Sequence, residues 1–463
     1  MNSFASDDTA AHASPVPGPE APVATFALVA GEDSGDQLGA DLIEALRARF
    51  PAACFVGVGG SRMRAAGFDA WHDISALSVM GLAEVLRHLP RLLRLRASLA
   101  RRLVALQPDV FIGIDAPDFN LGLEKRLKRA GIRTVHYVSP SIWAWREGRA
   151  QKIGQSADCV LCLFPMEPPI YARHGVDARF VGHPLADRFP LVPDRAAARS
   201  ELGLDPNAPV LAVLPGSRLS EVHRLGAIFI DAAKRVAAEI PNLQIVVPAA
   251  NARCRGEIEG LLKRSGLGTR DLELEKAARA QIAPASACWG SEGATSKVQL
   301  SEASSPSPES RVPSPVLLLD GHAHRALVAA DVALLASGTA ALEAMLAKRP
   351  MVVGYRIAPL THALVKGLGM LKTNVYSLPN ILAGEKVVPE LMQHDCTPAK
   401  LADAVLEWLR DPKRADALTH EFERLHLALH AGGGAAATAA RAVEPLAQRD
   451  VHPGTRGALH DVH

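Results

Sequence analysis

Short apolar runs alternate with longer amphipathic stretches along most of this chain. Strands that alternate with helices predict parallel sheets covered by helices on both faces. The alternation occurs in two series on either side of residues 184–194, a polar stretch with three prolines that we interpret as a linker. Two Rossmann-like α/β halves are therefore expected. The predicted strands are residues 25–30, 54–58, 110–115, 134–138 and 159–164 in the first half, and 210–214, 244–247, 316–319, 332–335 and 351–355 in the second.

Three segments depart from this alternation. Residues 1–22 are mostly Ala, Pro, Ser and Asp and lack the basic start and apolar centre of a secretion signal, so we expect a disordered extension. Residues 277–314 are rich in Ser, Ala, Pro and Glu without sustained periodicity, which predicts an insertion that carries no chemistry. We expect a C-terminal helix over residues 431–447, followed by a disordered tail over residues 448–463.

The bulk properties narrow the classes of function. With 463 residues, the chain is long enough for two or three domains. A formal net charge of +2 is too close to neutral for nucleic acid to be the main partner. Cys159 and Cys162 lie in a predicted strand, where positions three apart face opposite sides, and no second pair follows, so we predict no metal site. No apolar run reaches the length of a membrane span.

A carboxylate, Asp115, ends a predicted strand whose other residues are uncharged, and a turn with a proline follows it. In open α/β sheets this edge is where ligands bind, and an aspartate there can act as a general base. Aspartate is also a favoured helix N-cap, so Asp115 or Asp118 could equally cap the helix that follows.

The turn after the first strand, residues 30–36, has two glycines and three acids. It lacks the lysine of a P-loop and the three-glycine dinucleotide fingerprint, and its acids, among them Glu32, would repel phosphate. We interpret it as a turn that approaches a neutral, hydroxyl-rich ligand or holds a base. An acidic helix start that complements the helix dipole is the alternative.

Phosphate-binding signals occur in the second half. Residues 214–218 place Gly216, Ser217 and Arg218 between a strand and a helix, where arginine offers a planar fork for phosphate oxygens. Residues 336–343 place Ser337, Gly338 and Thr339 at a helix start, whose free N–H groups and dipole attract an anion. Helix capping alone would explain each turn. Two such turns, with an acid one helical turn after the second, favour a nucleoside diphosphate.

A basic amphipathic segment, residues 80–106, carries six arginines among many leucines. Such a face could lie on an anionic membrane surface. The same pattern would also suit a helix packed on the sheet with its arginines in solvent. Trp143 and Trp145, after the fourth predicted strand, could form a platform for a sugar or an acyl chain, although core packing is the default for aromatic residues.

Six motifs resemble, in the same order, those of the lipid-A-disaccharide synthase family. The motifs are LVAGEDSGD at residues 28–36, GIDAPDFN at 113–120, YVSPSIWAWR at 137–146, LPGSR at 214–218, LASGTAALE at 335–343 and SLPN at 377–380. The resemblance covers residues 25–431 and is broken by residues 277–314, a stretch that the family pattern lacks.

This resemblance implies the α/β GT-B fold, in which two Rossmann-like parallel-sheet domains face each other across a cleft. Residues 23–190 would form the acceptor domain, and residues 191–430 the nucleotide-sugar domain with its insertion. The implied enzyme is an inverting hexosyltransferase that condenses UDP-2,3-diacylglucosamine with 2,3-diacylglucosamine 1-phosphate (lipid X). The products would be the β-1,6-linked lipid A disaccharide 1-phosphate and UDP. Such a protein would work without a cofactor or metal.

The resemblance also assigns roles to residues. Asp115 would be the base that takes the proton of the acceptor 6-hydroxyl, while Glu32 and Asp118 are weaker candidates that would orient substrate. Arg218 and the helix start at Ser337 would stabilise the departing UDP. The other expected donor-site contacts are Gly216, Ser217, Gly338, Thr339, Glu343, Tyr355, Arg356, Asn380 and Gln393.

The implied setting is lipopolysaccharide synthesis at the cytoplasmic face of a Gram-negative inner membrane. There the chain would be a peripheral protein, and a homo-oligomer is allowed. Arg91, Arg94 and Arg96 would meet lipid phosphates beside apolar residues that receive acyl chains.

Three other functions stay open from the residues alone. A UDP-N-acetylglucosamine 2-epimerase would share the fold but needs no lipid acceptor. A non-catalytic binder of nucleotide sugars would bind UDP without turnover. A nicotinamide dehydrogenase is disfavoured because the three-glycine fingerprint is missing.

Overall fold

The computed structural model describes residues 23–77, 82–140, 142, 148–271, 316–356 and 375–448. The predicted extension over residues 1–22, the insertion over 277–314, Trp143 and Trp145, and the predicted tail after residue 448 lie outside these ranges. The described residues form two compact units, within the following bounds. Unit 1 contains Met1–Pro140, Gln151–Leu161 and Ala439–His463, and unit 2 contains Ser141–Ala150 and Cys162–Thr438.

The first sheet has seven strands in the order β3-β2-β1-β4-β5-β6-β7, and its pairings from β3 through β6 are all parallel. The strands are β1 (Thr25–Ala30), β2 (Cys54–Val58), β3 (Asp69–His72), β4 (Val110–Ile114), β5 (Arg133–Tyr137), β6 (Cys159–Cys162) and β7 (Ala178–Phe180). The accompanying helices are α1 (Asp33–Arg47), α2 (Ser61–Ala65), α3 (Leu82–Leu106), α4 (Pro117–Arg129), α5 (Arg149–Gly154), α6 (Pro168–Ala172) and α7 (Pro184–Arg188).

The second sheet has seven parallel strands in the order β10-β11-β9-β8-β12-β13-β14. The strands are β8 (Val210–Leu214), β9 (Gln244–Ala249), β10 (Thr269–Asp271), β11 (Val316–Asp320), β12 (Val332–Ala336), β13 (Met351–Tyr355) and β14 (Glu390–Met392). The helices that follow in sequence are α8 (Arg195–Glu201), α9 (Leu219–Glu239), α10 (Ala252–Ser265), α11 (Ala323–Ala329), α12 (Thr339–Leu346), α13 (Leu378–Ala383), α14 (Pro398–Arg410), α15 (Pro412–Leu429) and α16 (Ala435–Ala447).

The predicted fold class, α/β with two Rossmann-like parallel sheets, is confirmed. All ten predicted strands are present, and their ends differ from the predictions by at most two residues. Central strands β4, β8 and β12 are buried at every position, as expected for parallel strands covered on both faces. Cys159 and Cys162 are both buried in β6. Within the described ranges, no helix is long and apolar enough to cross a membrane.

The predicted linker is wrong in its first half. Pro184–Arg188 forms α7, with proline at the first helical positions and the Nδ1 atom of His183 accepting a hydrogen bond from the amide of Leu185 at 3.1 Å. Proline is well tolerated at a helix start, because the amide it lacks would have no intrahelical partner there. Burial lowers the pKa of His183 to about 4, so its ring remains a neutral acceptor at physiological pH.

Strand register aligns the carboxyl ends within each sheet. Ile114, the last residue of β4, is paired with Ala30 of β1 and with Tyr137 of β5. In the second sheet, Leu335 is paired with Leu214 of β8. Each sheet therefore presents a row of loops at one edge, where ligand sites of such folds lie.

Candidate active site

Asp115 follows directly after β4 and lies in the left-handed region, with φ of 50°, as does Ala116 with φ of 43°. The amide of Asp115 donates to the carbonyl of Tyr137 at 2.8 Å, which extends the β4–β5 ladder by one residue. Helix α4 then begins at Pro117. Two consecutive non-glycine residues in this region are strained, and such strain is concentrated at functional sites. Asp115 is not the N-cap of α4, because Ala116 occupies that position.

The side chain of Asn120 stabilises this turn through hydrogen bonds. It is fully buried, and its Nδ2 donates to the carbonyls of Asp115 at 2.8 Å, Val29 at 3.2 Å and Ile114 at 3.3 Å. Because these carbonyls belong to β1, β4 and the turn, one side chain links both neighbouring strand ends to the position of the carboxylate. Sequence reasoning missed this residue, although it stands in the same motif as Asp115.

The other two predicted carboxylates lie on adjacent turns. Glu32 is exposed at the start of α1 and caps no amide of that helix with its side chain, and Asp118 is exposed in the first turn of α4. The two turns are in close contact, since a Cβ atom on Gly31 would lie 2.7 Å from that of Ala116. Asp36 has a structural role, because its carboxylate accepts amides from Gly60 at 2.6 Å and from two residues of α2.

A buried glutamate and a buried histidine form a hydrogen-bonded pair next to the turn. Glu124 of α4 and His136 of β5 are both fully buried, with Oε1 and Nδ1 separated by 2.7 Å. Burial raises the pKa of Glu124, and the neighbouring imidazole opposes this rise. Gly113 is required here, because a Cβ at that position would clash with Glu124 Oε1. The pair was not found from the sequence, since it depends on the packing of α4 against β5.

In unit 2, the predicted phosphate turns meet at one cavity of about 410 Å³. It lies outside the carboxyl ends of β8, β9, β12 and β13, the expected edge of the sheet. Predicted residues that line it are Gly216, Ser217, Arg218, Ser337, Gly338, Thr339, Glu343 and Tyr355.

The start of α12 supplies free donors to this cavity. Among the described residues no side chain caps the helix, and its first turn contains no acid. Its N-cap residue, Gly338, has φ of 152°, a conformation that other residues rarely adopt. An uncapped helix start presents unpaired amides and a partial positive charge, which together favour an anion.

The loop over residues 214–218 contributes differently from the prediction. Glu221 Oε2 accepts the amides of Ser217 at 3.0 Å and Arg218 at 3.3 Å, so these backbone donors are already occupied. Gly216, with φ of 140°, leaves room for this carboxylate, because a Cβ there would lie 2.7 Å from Glu221 Oε2. The Arg218 side chain is 71% exposed, and its Nη1 atom lies 3.7 Å from Glu221 Oε1. A contact this long leaves the exposed guanidinium able to turn to a ligand.

Glu343 lies one turn into α12 and lines the same cavity. Burial raises the pKa of its carboxyl group. A half-buried carboxylate on the wall of a cavity suits a ligand that brings its own hydroxyl donors, because such donors would replace the water lost on burial.

Three predicted donor-site residues do not line this cavity. Asn380 is fully buried, and its amide bonds to the backbone of Val387 and Val388 and to the Glu390 carboxylate, which occupies both its donors and its acceptor. Arg356 donates to the carbonyl of Cys396 at 2.7 Å. Gln393 lies beside the cavity wall, since its backbone N–H donates to the Tyr355 carbonyl at 2.9 Å.

The three arginines predicted to contact the membrane differ in environment. Arg91 and Arg94 are exposed on α3, near Leu89 and Leu93, which are 42% and 44% exposed. Arg96 instead lies over α4, with Nη1 at 3.4 Å from the carbonyl of Asp118. In the described ranges, no group of three or more His, Cys, Asp or Glu residues is arranged to hold a metal ion.

Comparison with known sequences gives one consistent family. The lipid-A-disaccharide synthetase family matches residues 26–296 and 307–438. The gap in this match is shorter than the predicted insertion and lies within it. A lipid-A-disaccharide synthase of Xanthomonas campestris pv. campestris (strain 8004) is 54% identical over 445 residues, which cover 96% of this chain and 91% of the relative. The corresponding protein of Xylella fastidiosa (strain M12) is 52% identical over 427 residues, which cover 92% and 98%.

Solved structures agree on the fold. A putative UDP-N-acetylglucosamine 2-epimerase from Listeria monocytogenes superposes with a TM-score of 0.54 at 12% identity, covering 91% of this chain and 95% of that one. The kitacinnamycin glycotransferase gives a TM-score of 0.52 at 18% identity, covering 92% and 100%. These identities are too low to carry more than the architecture.

Proposed function

This chain belongs to the lipid-A-disaccharide synthase family, and on that basis we propose the reaction that it catalyses. It is a hexosyltransferase of lipid A disaccharide synthesis. In our proposal the donor is UDP-2,3-diacylglucosamine and the acceptor is 2,3-diacylglucosamine 1-phosphate. The acceptor 6-hydroxyl attacks the anomeric carbon, the bond to UDP breaks, and the configuration at that carbon inverts.

The cavity of unit 2 is the proposed site of the UDP moiety. As the glycosidic bond breaks, negative charge grows on the diphosphate and must be met by fixed donors. The uncapped start of α12 and the exposed Arg218 guanidinium are such donors on two sides of one cavity. Glu343, on the same wall, would accept hydrogen bonds from the ribose hydroxyls. This convergence is the observation that carries the nucleotide assignment.

Asp115 is the proposed general base. The attacking hydroxyl becomes acidic only as the new bond forms, so an acceptor for its proton must already be in position. The left-handed turn and the three hydrogen bonds of Asn120 fix the backbone from which the Asp115 carboxylate projects. Glu32 and Asp118, on neighbouring turns, are proposed to orient the acceptor. The side-chain amide of Asn380 links α13 to Val388 and to Glu390 at the start of β14, so we assign it a supporting role rather than a contact with the nucleotide.

We further propose that α3 contacts an anionic membrane surface. Exposed leucines beside exposed arginines form an apolar strip with a basic margin, the pattern of an interfacial helix. Arg91 and Arg94 would meet lipid phosphates, whereas Arg96 is engaged with α4. Replacing Arg91 and Arg94 together by glutamate should reduce co-sedimentation with anionic vesicles. Unchanged co-sedimentation would remove this part of the proposal.

An assay of UDP release tests the reaction. We expect release only when the diacylated UDP-sugar and the sugar 1-phosphate acceptor are both present, in a 1:1 ratio with the disaccharide. A 2-epimerase would instead convert the UDP-sugar without any acceptor, and a binder would release nothing. Either of those results would overturn the proposed reaction while leaving the fold intact.

A further inference from the structure

A second cavity of about 410 Å³ lies at the opposite edge of the second sheet. It is lined by residues that directly precede strands: Pro209 before β8, Asp331 before β12 and Pro350 before β13. The nucleotide cavity lies at the other ends of these strands. Five residues of strand span about 16 Å, so the two cavities are separate. We call this second cavity the basal pocket.

Positive charge exceeds negative charge in the basal pocket. Four cationic side chains line it, namely Arg195, Arg199, Lys348 and Arg349, against two carboxylates, those of Asp331 and Asp416. Asp331 is shared, because Arg195 and Arg199 pair with its two oxygens at 2.9 and 2.7 Å and it also accepts the amide of Val210. Its single charge cannot neutralise both arginines.

Two of the cations are fully engaged in holding the fold. Arg199 is 3% exposed and also donates to the carbonyls of Ala329 and Pro206. The Nζ atom of Lys348 donates to the carbonyl of Leu346 at 2.9 Å and to His426 Nδ1 at 2.6 Å. These contacts leave little capacity for a ligand.

Arg349 differs from both. Its Nε donates to the nearby carbonyl of Ala347 at 2.9 Å, and within the described part of the chain it forms no ion pair. Burial lowers the pKa of Arg349 to about 10. The neighbouring Arg195 and Arg199 also lower this pKa, whereas Asp331 raises it. A half-buried guanidinium without an ion pair lowers the stability of the fold unless a bound anion accepts hydrogen bonds from it.

We propose that the basal pocket binds the phosphate group of a small phosphate monoester, with Arg349 as the principal contact and Arg195 as the second. A guanidinium fork matches two phosphate oxygens, which gives strong, charge-assisted hydrogen bonds. The cavity is larger than a bare ion requires and falls in the range of small-molecule sites. Apolar walls from Pro350, Pro412 and Trp408 would cover the organic part.

Calorimetric titration of the full chain with glycerol 2-phosphate tests this proposal, with glycerol as the uncharged control. UDP is kept saturating so that the nucleotide cavity is filled. We expect one molecule of glycerol 2-phosphate per chain and none of glycerol. Arg349→Met, which keeps most of the apolar stem, should weaken binding about 10- to 100-fold, the effect of losing hydrogen bonds to a charged group.

A matched variant distinguishes the two cavities. Arg218→Met removes an arginine from the nucleotide cavity and should leave binding of glycerol 2-phosphate unchanged. Inorganic phosphate serves as a second probe: tighter binding of the ester assigns the pocket to an organic phosphate, and equal affinity assigns it to the free ion. The absence of any binding, or equal affinity in Arg349→Met and the wild type, would overturn the proposal.

Discussion

At the carboxyl edge of the first sheet the polar groups are carboxylates and carbonyls. At that of the second sheet an arginine, hydroxyls and an uncapped helix start lie beside the carboxylates of Glu221 and Glu343. Asp115 is set by two left-handed residues and by the amide of Asn120. Gly338, by contrast, opens a helix whose amides are left for a ligand. The same strand–turn–helix unit can thus present either a proton acceptor or an anion site. The difference depends on whether side chains form hydrogen bonds with the backbone N–H and C=O groups of the turn or leave them free.

The largest expected effect is on turnover at the first edge. Asp115→Asn keeps the size of the side chain but removes the proton acceptor, so kcat should fall about 10²- to 10⁴-fold. The dissociation constant of UDP should not change. Asp118→Asn, on the exposed first turn of α4, is the matched control and should lose far less activity. Equal losses in the two variants would contradict the assignment of the base.

Next in size is the loss of the exposed arginine at the second edge. Arg218→Met should weaken UDP binding about 10- to 100-fold, because a charge-assisted hydrogen bond contributes about 1.5–3 kcal/mol. Arg224→Met, at an exposed position on α9, the helix that Arg218 precedes as N-cap, is the control and should bind UDP like the wild type. If both variants bind equally well, Arg218 does not contact the diphosphate.

A smaller effect on turnover is expected from Asn120, the buried residue that stabilises the Asp115 turn. Asn120→Ala leaves the carbonyl of Asp115 without its partner, which should lower the free energy of unfolding by about 1–3 kcal/mol. As the base moves out of position, kcat should fall while KM for the UDP-sugar stays near its original value. A loss of stability with unchanged kcat would restrict Asn120 to a structural role.

The smallest expected effect is the contribution of Glu343 to the pH dependence of stability. Its folded-state pKa is raised by burial, so it destabilises the fold once it ionises. This penalty is absent below the ordinary value of 4.5 and appears as the pH rises through the raised pKa. Glu343→Gln should therefore raise Tm at pH 7.5, and the gain should shrink as the pH approaches 4.5.

The same substitution should affect UDP in the opposite direction. If the Glu343 carboxylate accepts from the ribose, UDP affinity should drop in Glu343→Gln, because an amide is the weaker acceptor. Calorimetry at pH 7.5 measures this change. A higher Tm together with unchanged UDP affinity would separate Glu343 from the ribose.

Strands and turns were predictable because apolar runs, glycines and the positions of acids are local features. The exceptions are informative. Strands β3, β7, β10 and β14 were missed because each has only three or four residues, too few to show a period. The helix at Pro184 was missed because its prolines were interpreted only as breakers of structure.

Hydrogen-bond partners across elements could not be predicted. Nothing in the sequence distinguishes Glu221 from an ordinary helix residue, yet its carboxylate accepts the backbone N–H groups of the loop that was expected to bind phosphate. Asn380 was expected at the nucleotide, but its buried amide holds a loop together. The hydrogen-bonded pair of Glu124 and His136 depends on how α4 packs against β5. Such roles follow from tertiary contacts that no local pattern encodes.

The division of roles between the two edges is tested most directly by titrating UDP into two variants in parallel. Asp115→Asn should bind UDP with the dissociation constant of the wild type. Gly338→Ala places a side chain at φ of 152°. Apart from the residue itself and its two chain neighbours, no atom of the described residues lies within 4 Å of the new Cβ, so only the helix start is disturbed. We expect about 1–3 kcal/mol of strain and UDP binding at least about tenfold weaker. Weaker binding in Asp115→Asn with unaltered binding in Gly338→Ala would contradict the account.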